Sequence, residues 1–256
     1  MAVTRRILDV GNTRAKWATF DNGNDLTQPP AQLESAPVAH LDTGRQWQST
    51  LGEHDLVMVT GSGDLAPWVS LFPEAFVLHP GDPTPLPTAV VEPERTGPDR
   101  VANAWAVLKG CCSEAHPEGA WMVVDVGTCT TVDLIHSGMH WGGTISPGIP
   151  MRLDAMSQGT ARLPRPSLHD GHDLALNGAA GLGSNSDRAL LAGAVGGLAA
   201  EIEGKWHAWS QELPNLGVLL TGGDAHFLEL RDIRPKFADA QLTLKGYHAL
   251  FNHFHA

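Results

Sequence analysis

One short pattern occurs twice in this chain: an apolar strand that ends in an aspartate, a turn that contains glycine, and a second strand. The first copy is RRILDVGNTRAKWATF over residues 5–20, and the second is WMVVDVGTCTTVDLIH over residues 121–136. Asp9 and Asp125 take the same place in the two copies, 116 residues apart. A repeat of that length predicts two related halves and argues against a short-period solenoid.

We therefore predict an α/β protein of two domains, residues 1–113 and 114–256. DLVMVTGSG over residues 55–63 is typical of a buried strand in a parallel sheet. The proline-rich segment 79–98 predicts an extended connection, because proline removes a backbone donor and restricts the residue before it. Pro98 is suited to the first position of a helix that follows this segment.

The second half predicts further elements in the same manner. A third strand is expected over residues 139–145 and a helix over 149–158. A long helix rich in small residues is expected over 186–206, and a strand, a Gly-Gly turn and a helix over 216–230. Glycine weakens a helix unless another backbone comes close, so three glycines in the long helix predict close packing: Gly193, Gly196 and Gly197.

Composition excludes several classes of protein. The chain has 256 residues, of which 42% are hydrophobic, which is enough for a sizeable buried core. It carries 17 Lys and Arg against 28 Asp and Glu, a formal net charge of −11, so nucleic acid and anionic membrane are not expected partners. No apolar run is long enough for a signal peptide core or a membrane span.

The cysteines and histidines do not form the spacings of a metal site. Cys111, Cys112 and Cys129 contain no C-x-x-C, which predicts neither a disulfide framework nor a zinc site and favours a reduced, cytoplasmic setting. His136 and His140 lie on either side of an expected hairpin turn, and we interpret the histidines as surface residues. The eight tryptophans are expected to be core and interface anchors.

The two glycine turns have the chemistry of phosphate binding. Glycine lets backbone N–H groups approach anionic oxygens, and an aspartate beside the turn can organise a cation. Lys16 follows the first turn and could reach a phosphate, while the second turn carries hydroxyls on Thr128, Thr130 and Thr131. The alternative is a pair of ordinary hairpin turns. A Walker A loop is excluded, because its pattern is absent and these turns lead into strands.

Two other motifs could carry chemistry. Gly97-Pro98-Asp99-Arg100 places a carboxylate in the first turn of a helix, where the helix dipole favours the ionised form that accepts a proton. The alternative is that Asp99 only stabilises the helix start and that Arg100 is a surface group. The Gly222-Gly223 turn after a buried strand could lie against a flat group such as a nucleobase.

Taken together, these motifs resemble those of type III pantothenate kinase, the bacterial enzyme of the first step of coenzyme A synthesis. The resemblance covers residues 7 to about 250. Six segments carry it in the family's order: Asp9-Val-Gly-Asn-Thr-Arg-Ala-Lys16, Gly97-Pro-Asp-Arg100, Asp125-Val-Gly-Thr-Cys-Thr-Thr131, Gly142-Gly-Thr-Ile-Ser-Pro-Gly148, Thr160-Ala-Arg-Leu-Pro164 and Thr221-Gly-Gly223.

The resemblance implies a fold from the acetate kinase, sugar kinase, Hsp70 and actin superfamily, with two duplicated ribonuclease H-like (actin-like ATPase) domains facing across a nucleotide cleft. It implies ATP and pantothenate as substrates, Mg²⁺ with ATP, a monovalent cation, K⁺ or NH₄⁺, and a homodimer. It implies the following ATP-binding residues: Asp9, Gly11, Asn12, Thr13, Lys16, Thr128, Thr131, Gly222 and Gly223. It implies the following pantothenate-binding residues: Val90, Gly97, Pro98, Asp99, Arg100 and Ser186.

Three roles are more specific. By resemblance, Asp99 is the general base for the pantothenate hydroxyl, Asp125 holds the monovalent cation, and Asp9 helps to organise Mg²⁺ through ATP. The sequence departs from the family's pattern at three places: Val90 replaces a tyrosine, Ser186 a threonine and Cys129 an alanine. Two alternatives remain open here: a non-catalytic regulatory protein on the same fold, and a kinase of this superfamily for another hydroxyl substrate.

Overall fold

The computed structural model describes residues 4–21, 25–168 and 182–255. The strands are β1 (Arg5–Val10), β2 (Arg14–Phe20), β3 (Gln32–Pro37), β4 (Leu56–Thr60), β5 (Phe76–Val77), β6 (Trp121–Val126), β7 (Cys129–His136), β8 (Met139–Pro147), β9 (Gly217–Thr221) and β10 (Lys236–Ala238). The α-helices are α1 (Leu41–Ser49), α2 (Ala66–Leu71), α3 (Pro98–Leu108), α4 (Ile149–Gln158), α5 (Ser186–Leu191), α6 (Gly197–Ser210) and α7 (Leu242–Phe254).

The chain forms two compact units, and each contains a five-stranded sheet. The strand order is β3-β2-β1-β4-β5 in the first sheet and β10-β9-β6-β7-β8 in the second. In both sheets the central strand pairs antiparallel with the next strand of its hairpin and parallel with a later strand, β4 in one and β9 in the other. The duplicated α/β fold predicted from the repeated hairpins is confirmed.

The division of the chain differs from the predicted domains. The first unit comprises Met1–Glu118, Ser137–Trp141 and Gln241–Ala256, and the second comprises Gly119–His136 and Gly142–Ala240. Helix α7 packs on α3 within the first unit, and there the Thr243 hydroxyl donates a hydrogen bond of 2.9 Å to Asn103 Oδ1. The predicted domain 114–256 therefore includes residues that pack with the first unit.

Tryptophan rings form much of the core of the first unit. Trp17, Trp47 and Trp68 are buried in a row, with ring centroids 5.9 and 6.0 Å apart. Stacked aromatic rings at these separations add to the free energy gained by burying their surface. The prediction that tryptophans are core residues is confirmed for these three, whereas Trp141 is 52% exposed on β8.

The expected helix over 186–206 is confirmed as one helical stretch, α5 and α6 joined by a π-helical turn, Ala192–Gly196. Two finer predictions in the second unit are wrong. No described heavy atom lies within 4 Å of a Cβ built at Gly193, Gly196 or Gly197, so the described residues do not provide the close packing predicted there. After β9 the expected helix is only a 3₁₀ turn, Ala225–Phe227, because the chain becomes extended at Leu228.

Two histidines are core residues, which corrects their interpretation as surface groups. His140 and His248 are both buried. The His248 ring stacks on Phe20, with centroids 4.2 Å apart and an interplanar angle of 10°. Burial, with a smaller effect from the charge of Arg5, lowers the pKa of His248 to about 4. The folded protein therefore holds this ring neutral.

We expect this buried ring to make the protein less stable in mild acid. Unfolded His248 takes up a proton below its ordinary pKa of 6.5, whereas the folded ring does so only near pH 4. Stability is therefore lost as the pH falls through this range, by roughly 2 kcal/mol between pH 7 and pH 5. Urea unfolding at both pH values should show a smaller difference in His248→Phe. The exposed His54→Gln serves as control, and an equal pH dependence in all three proteins would contradict the expectation.

Candidate active site

The first glycine turn joins β1 to β2 and carries Asp9 at its base. Asp9 pairs with Lys16 across the two strands, and Lys16 Nζ lies 3.6 Å from Asp9 Oδ2. The Gly11 N–H donates a 2.9 Å hydrogen bond to the Arg14 carbonyl, which closes the turn. Asn12 and Thr13 are exposed at its tip. The turn thus combines an aspartate, a lysine and two exposed polar side chains.

A second loop, to which the sequence analysis gave no role in the site, packs on this turn. It is Thr60-Gly61-Ser62-Gly63, at the end of β4, and the Gly63 N–H donates a 2.8 Å hydrogen bond to the Val10 carbonyl. Gly61 has a φ of +131°, and a Cβ there would overlap the Val10 carbonyl oxygen. The backbones of the two loops are therefore in direct contact.

The second unit repeats this arrangement with different side chains. The Asp224 N–H donates a 3.0 Å hydrogen bond to the Val126 carbonyl, as Gly63 does to Val10. Gly222 has a φ of +93°, and a Cβ there would overlap that carbonyl and lie 2.5 Å from Asp125 Oδ1. No described heavy atom lies within 4 Å of a Cβ built at Gly223. Gly222 is thus a structural glycine, while Gly223 borders open space.

The cross-strand neighbours of the two aspartates differ in a way that bears on cation binding. Asp9 stands between Thr60 and Lys16, whereas Asp125 stands between Thr221 and Thr131. Side chains in register on adjacent strands lie on the same face of a sheet. The second unit therefore presents a carboxylate flanked by two hydroxyls where the first unit presents a carboxylate beside an ammonium group.

The Thr221 hydroxyl differs in its hydrogen bonding from that of Thr60, its counterpart in the first unit. The Thr60 hydroxyl donates to the Leu78 carbonyl at 3.0 Å. The Thr221 hydroxyl is buried and has no hydrogen-bond partner among the described residues. A buried polar atom of this kind usually indicates water, an ion or a ligand. Carboxylate and hydroxyl oxygens are ligands that hard cations prefer, so these residues fit a cation at Asp125.

The Gly97–Arg100 motif begins helix α3, as predicted. Asp99 is in the first turn and half-buried, and one of its carboxylate oxygens accepts a 2.8 Å hydrogen bond from the Arg100 N–H. A Cβ at Gly97 would lie 2.6 Å from Asp99 Oδ1, so the absence of a side chain there leaves room for the carboxylate. A partly exposed carboxylate at a helix N-terminus is suited to accept a proton from a substrate.

The predicted extended connection 79–98 is confirmed except for a short 3₁₀ turn, Pro93–Arg95. His140 anchors it: the Ala89 N–H and the Thr88 hydroxyl both donate to the His140 carbonyl, at 2.9 and 3.1 Å. The Val90 N–H in turn donates to the Thr88 hydroxyl at 3.1 Å, and Val90 is half-buried. His140, which sequence reasoning placed at the surface, thus fixes the position of Val90.

Ser186 is the exposed first residue of α5. Asn185 caps this helix, because its side-chain oxygen accepts a 2.9 Å hydrogen bond from the Arg188 N–H. In the described part of the chain no three His, Cys, Asp or Glu residues form a group that could hold a metal ion. No helix in that part is both long and apolar enough to span a membrane.

Comparison with known proteins decides the family. The sequence model of type III pantothenate kinase matches residues 7–208, which is most of the chain and includes both glycine turns and the start of α3. The chain belongs to the type III pantothenate kinase family. All the candidate site residues before Gly222 lie in the matched range.

Type III pantothenate kinases of several bacteria align with the chain over most of its length. The protein of Bacteroides fragilis is 32% identical over 96% of this chain and 97% of its own length. That of Flavobacterium johnsoniae is 30% identical over 93% of both. That of Thermus thermophilus is 37% identical over 68% of this chain and 64% of its own length.

Solved structures agree with the fold. A Campylobacter jejuni protein described as a Baf-family transcriptional activator superposes with a TM-score of 0.59 at 17% identity, covering 97% of this chain and 98% of its own. A Listeria monocytogenes protein described as an N-acetylmannosamine kinase superposes with a TM-score of 0.50 at 10% identity, covering 98% of this chain and all of its own. At these identities the likeness shows the sugar-kinase type of fold alone.

Proposed function

We propose that this protein transfers the γ-phosphoryl group of ATP to the terminal hydroxyl of pantothenate, giving 4'-phosphopantothenate for coenzyme A synthesis. The family match over residues 7–208 carries this proposal. The structure supports it, because the two duplicated turns and the first turn of α3 present the side chains that the reaction needs. No observation favours a regulatory role or another substrate.

The two turns bind the phosphates of ATP in this proposal. In the first unit Asn12, Thr13 and Lys16 supply amide, hydroxyl and ammonium donors, and Gly11 has no side chain to keep the phosphates away from the turn. Asp9 would help to organise the Mg²⁺ that accompanies ATP. In the second unit Thr128 and Thr131 supply hydroxyls, and Gly222 and Gly223 lie against the nucleoside. Such donors stabilise the negative charge that spreads over the transferred group.

Asp99 acts as the general base. Its carboxylate accepts the proton of the pantothenate hydroxyl as that oxygen forms a bond to the γ-phosphorus. The bond from this phosphorus to the bridging oxygen breaks, and ADP leaves with the electron pair. The protein contributes chiefly alignment and charge stabilisation, as expected for phosphoryl transfer.

We assign the monovalent cation, K⁺ or NH₄⁺, to Asp125. Its two hydroxyl neighbours, Thr131 and Thr221, fit the oxygen coordination of such an ion. When bound, the ion would supply positive charge that offsets the negative charge of the phosphates. Asp125 and these threonines would hold it, and Thr131 has the register position that Lys16 has in the first unit.

Pantothenate is held by Val90, Gly97, Pro98, Arg100 and Ser186 in this proposal. Arg100 is suited to the substrate's carboxylate, because guanidinium and carboxylate form paired hydrogen bonds. Val90 offers an apolar surface where the family has a phenol. We further propose that the enzyme is a homodimer, as the family resemblance implies, and that it is cytoplasmic, as its cysteine pattern favours.

The test is ADP formation by the purified protein with Mg²⁺-ATP, with and without pantothenate, in K⁺ or Na⁺ as the only added monovalent cation. We expect ADP to form only when pantothenate is present, and faster in K⁺. ADP formation without pantothenate would indicate hydrolysis. Protein that binds ATP but shows no pantothenate-dependent turnover in either salt would refute the proposed activity.

Asp125→Asn should remove the response to K⁺. The amide keeps the shape of the side chain but loses the charge that binds the ion. We expect the K⁺ to Na⁺ rate ratio to fall to about 1 and the K⁺-dependent rise in melting temperature to disappear. Asp232→Asn, an exposed change in the same unit, should behave as the parent. If Asp125→Asn kept the parental thermal response to K⁺, the cation assignment would be wrong.

A further inference from the structure

We propose that Arg152 and Glu201 form a latch that positions the phosphate-binding turn at Thr128. The latch is the ion pair between these two side chains, one on α4 and one on α6. Neither residue belongs to the proposed ATP or pantothenate sites. The inference rests on the proposed function, because it assumes that the turn at Thr128 binds nucleotide phosphate.

The turn is in direct backbone contact with the segment that ends β8, Ser146-Pro147-Gly148. The Gly148 N–H donates a 3.1 Å hydrogen bond to the Thr128 carbonyl. A Cβ at Gly148 would overlap the Gly127 carbonyl oxygen and lie 2.7 Å from that of Thr128. Any shift of residues 146–148 is therefore transmitted to the turn, since the two backbones touch.

Arg152 also contacts this segment. Its Nε donates a 2.8 Å hydrogen bond to the Pro147 carbonyl, and one terminal nitrogen donates a 3.2 Å hydrogen bond to the Ser146 hydroxyl. The same terminal nitrogen contacts the Glu201 carboxylate. The planar guanidinium thus fixes the residues immediately before Gly148, which a flexible ammonium group could not do with the same geometry.

Glu201 ties the guanidinium to a core helix. Helix α6 buries Leu198 and Ile202 on either side of Glu201, and Lys205 Nζ lies 3.6 Å from the Glu201 carboxylate. Burial acts to raise the pKa of Glu201, but hydrogen bonds from Arg152 and Ser146 and the charges of Arg152 and Lys205 outweigh it and lower the pKa. The carboxylate is therefore ionised at neutral pH and available to the arginine.

The function of the latch is to keep the Thr128 turn in place, so its loss should affect ATP more than pantothenate. Misplacing a binding group by about 1 Å can cost a reaction up to about 10²-fold. We expect Arg152→Gln to weaken ATP binding about tenfold, which is usual for an outer partner of a binding group. The KM for pantothenate should change by less than about twofold.

The same helix offers a matched control. Arg165 forms an ion pair of 2.7 Å with Asp154 on α4, and both side chains are more than 40% exposed, against 21% and 27% for Arg152 and Glu201. Arg165→Gln removes an arginine that pairs with α4 from the following loop, without touching residues 146–148. It should leave ATP affinity at the parental value.

The experiment measures ATP binding by calorimetry and steady-state kinetics for the parent, Arg152→Gln, Arg152→Lys, Glu201→Gln, the double variant and Arg165→Gln. The two single glutamine changes should not be additive, because either one breaks the same latch. Arg152→Lys should recover only part of the affinity. Ser146→Ala deletes the hydrogen bonds of this hydroxyl with Arg152 and Glu201 and leaves the charges. It should weaken ATP binding by about twofold and remains informative if Arg152→Gln does not fold.

Equal ATP affinities in Arg152→Gln, Ser146→Ala and Arg165→Gln would overturn the latch. So would a rise in the pantothenate KM as large as the loss in ATP affinity, since that would indicate a general structural defect. A parent protein that binds ATP without pantothenate-dependent turnover would refute the proposed activity instead, and the calorimetric comparison would still test the latch.

Discussion

Replacing Asp99 with asparagine should lower pantothenate-dependent turnover by about 10²- to 10⁴-fold, the usual contribution of a general base. The amide is nearly the same size and can still accept the hydrogen bond from the Arg100 N–H, so α3 should begin as before. It cannot accept the proton of the substrate hydroxyl. ATP affinity should remain near the parental value, because the proposed phosphate-binding turns are unchanged.

A matched substitution at Asp64 separates the loss of the general base from any loss of helix stability. Asp64 lies just before α2 in the same unit, and one of its carboxylate oxygens accepts a 3.1 Å hydrogen bond from the Ala66 N–H. Asp64→Asn therefore removes a negative charge at the start of a helix that has no proposed role in catalysis, and it measures the effect of that charge on stability alone. Single-turnover measurements of both variants separate the chemical step from product release. Turnover of Asp99→Asn within a few-fold of the parent would show that another group takes the proton.

Gly222→Ala should destabilise the protein by about 3 kcal/mol or more, and it should also impair nucleotide binding. A side chain at a positive φ costs about 1–2 kcal/mol by itself. The added methyl group would also overlap the Val126 carbonyl and approach Asp125 Oδ1. Relief requires the two loops of the second unit to separate, and overpacking of this kind costs a further 1–3 kcal/mol or so.

The next residue provides the control. Gly223 has an ordinary backbone conformation and no described atom within 4 Å of a Cβ, so Gly223→Ala should fold with a stability within about 1 kcal/mol of the parent. If the nucleoside lies against this residue, as we propose, ATP affinity should fall while stability does not. Urea unfolding and calorimetry on both variants check this. Equal stabilities of the two alanine variants would contradict the argument from backbone overlap.

The sequence was sufficient for the fold because the duplicated hairpin has a strong strand pattern and a specific spacing. The start of α3 was also predictable, since Pro98 fixes a helical φ. Elements whose sequences have no clear hydrophobic period or turn residues could not be predicted. Helix α1 and strand β3 lie in a mostly polar segment in which Trp47 is the one large, fully buried side chain among the described residues, and β10 is three residues long. Burial of His140 and His248 depends on tertiary neighbours that no local pattern contains.

The loop at 60–63 could have been predicted from the sequence, whereas the contacts of Arg152 could not. Thr60-Gly61 and Thr221-Gly222 both follow an apolar strand, so a search for a second repeat would have found the loop at 60–63. The partners of Arg152 could not be found that way. Glu201 is 49 residues away, and their contact depends on how α4 and α6 pack. Long-range pairs of charged residues leave no periodic signal.

Helix α7 has a consequence for how this protein is made. It leaves the ribosome after the whole of the second unit, yet it packs on α3 in the first unit. During synthesis the strands of the second sheet are all available before the first unit can close its core, although domains usually fold in the order of synthesis. Premature termination near residue 240 would therefore damage the half that carries Asp9 and Asp99 and spare the half that carries Asp125.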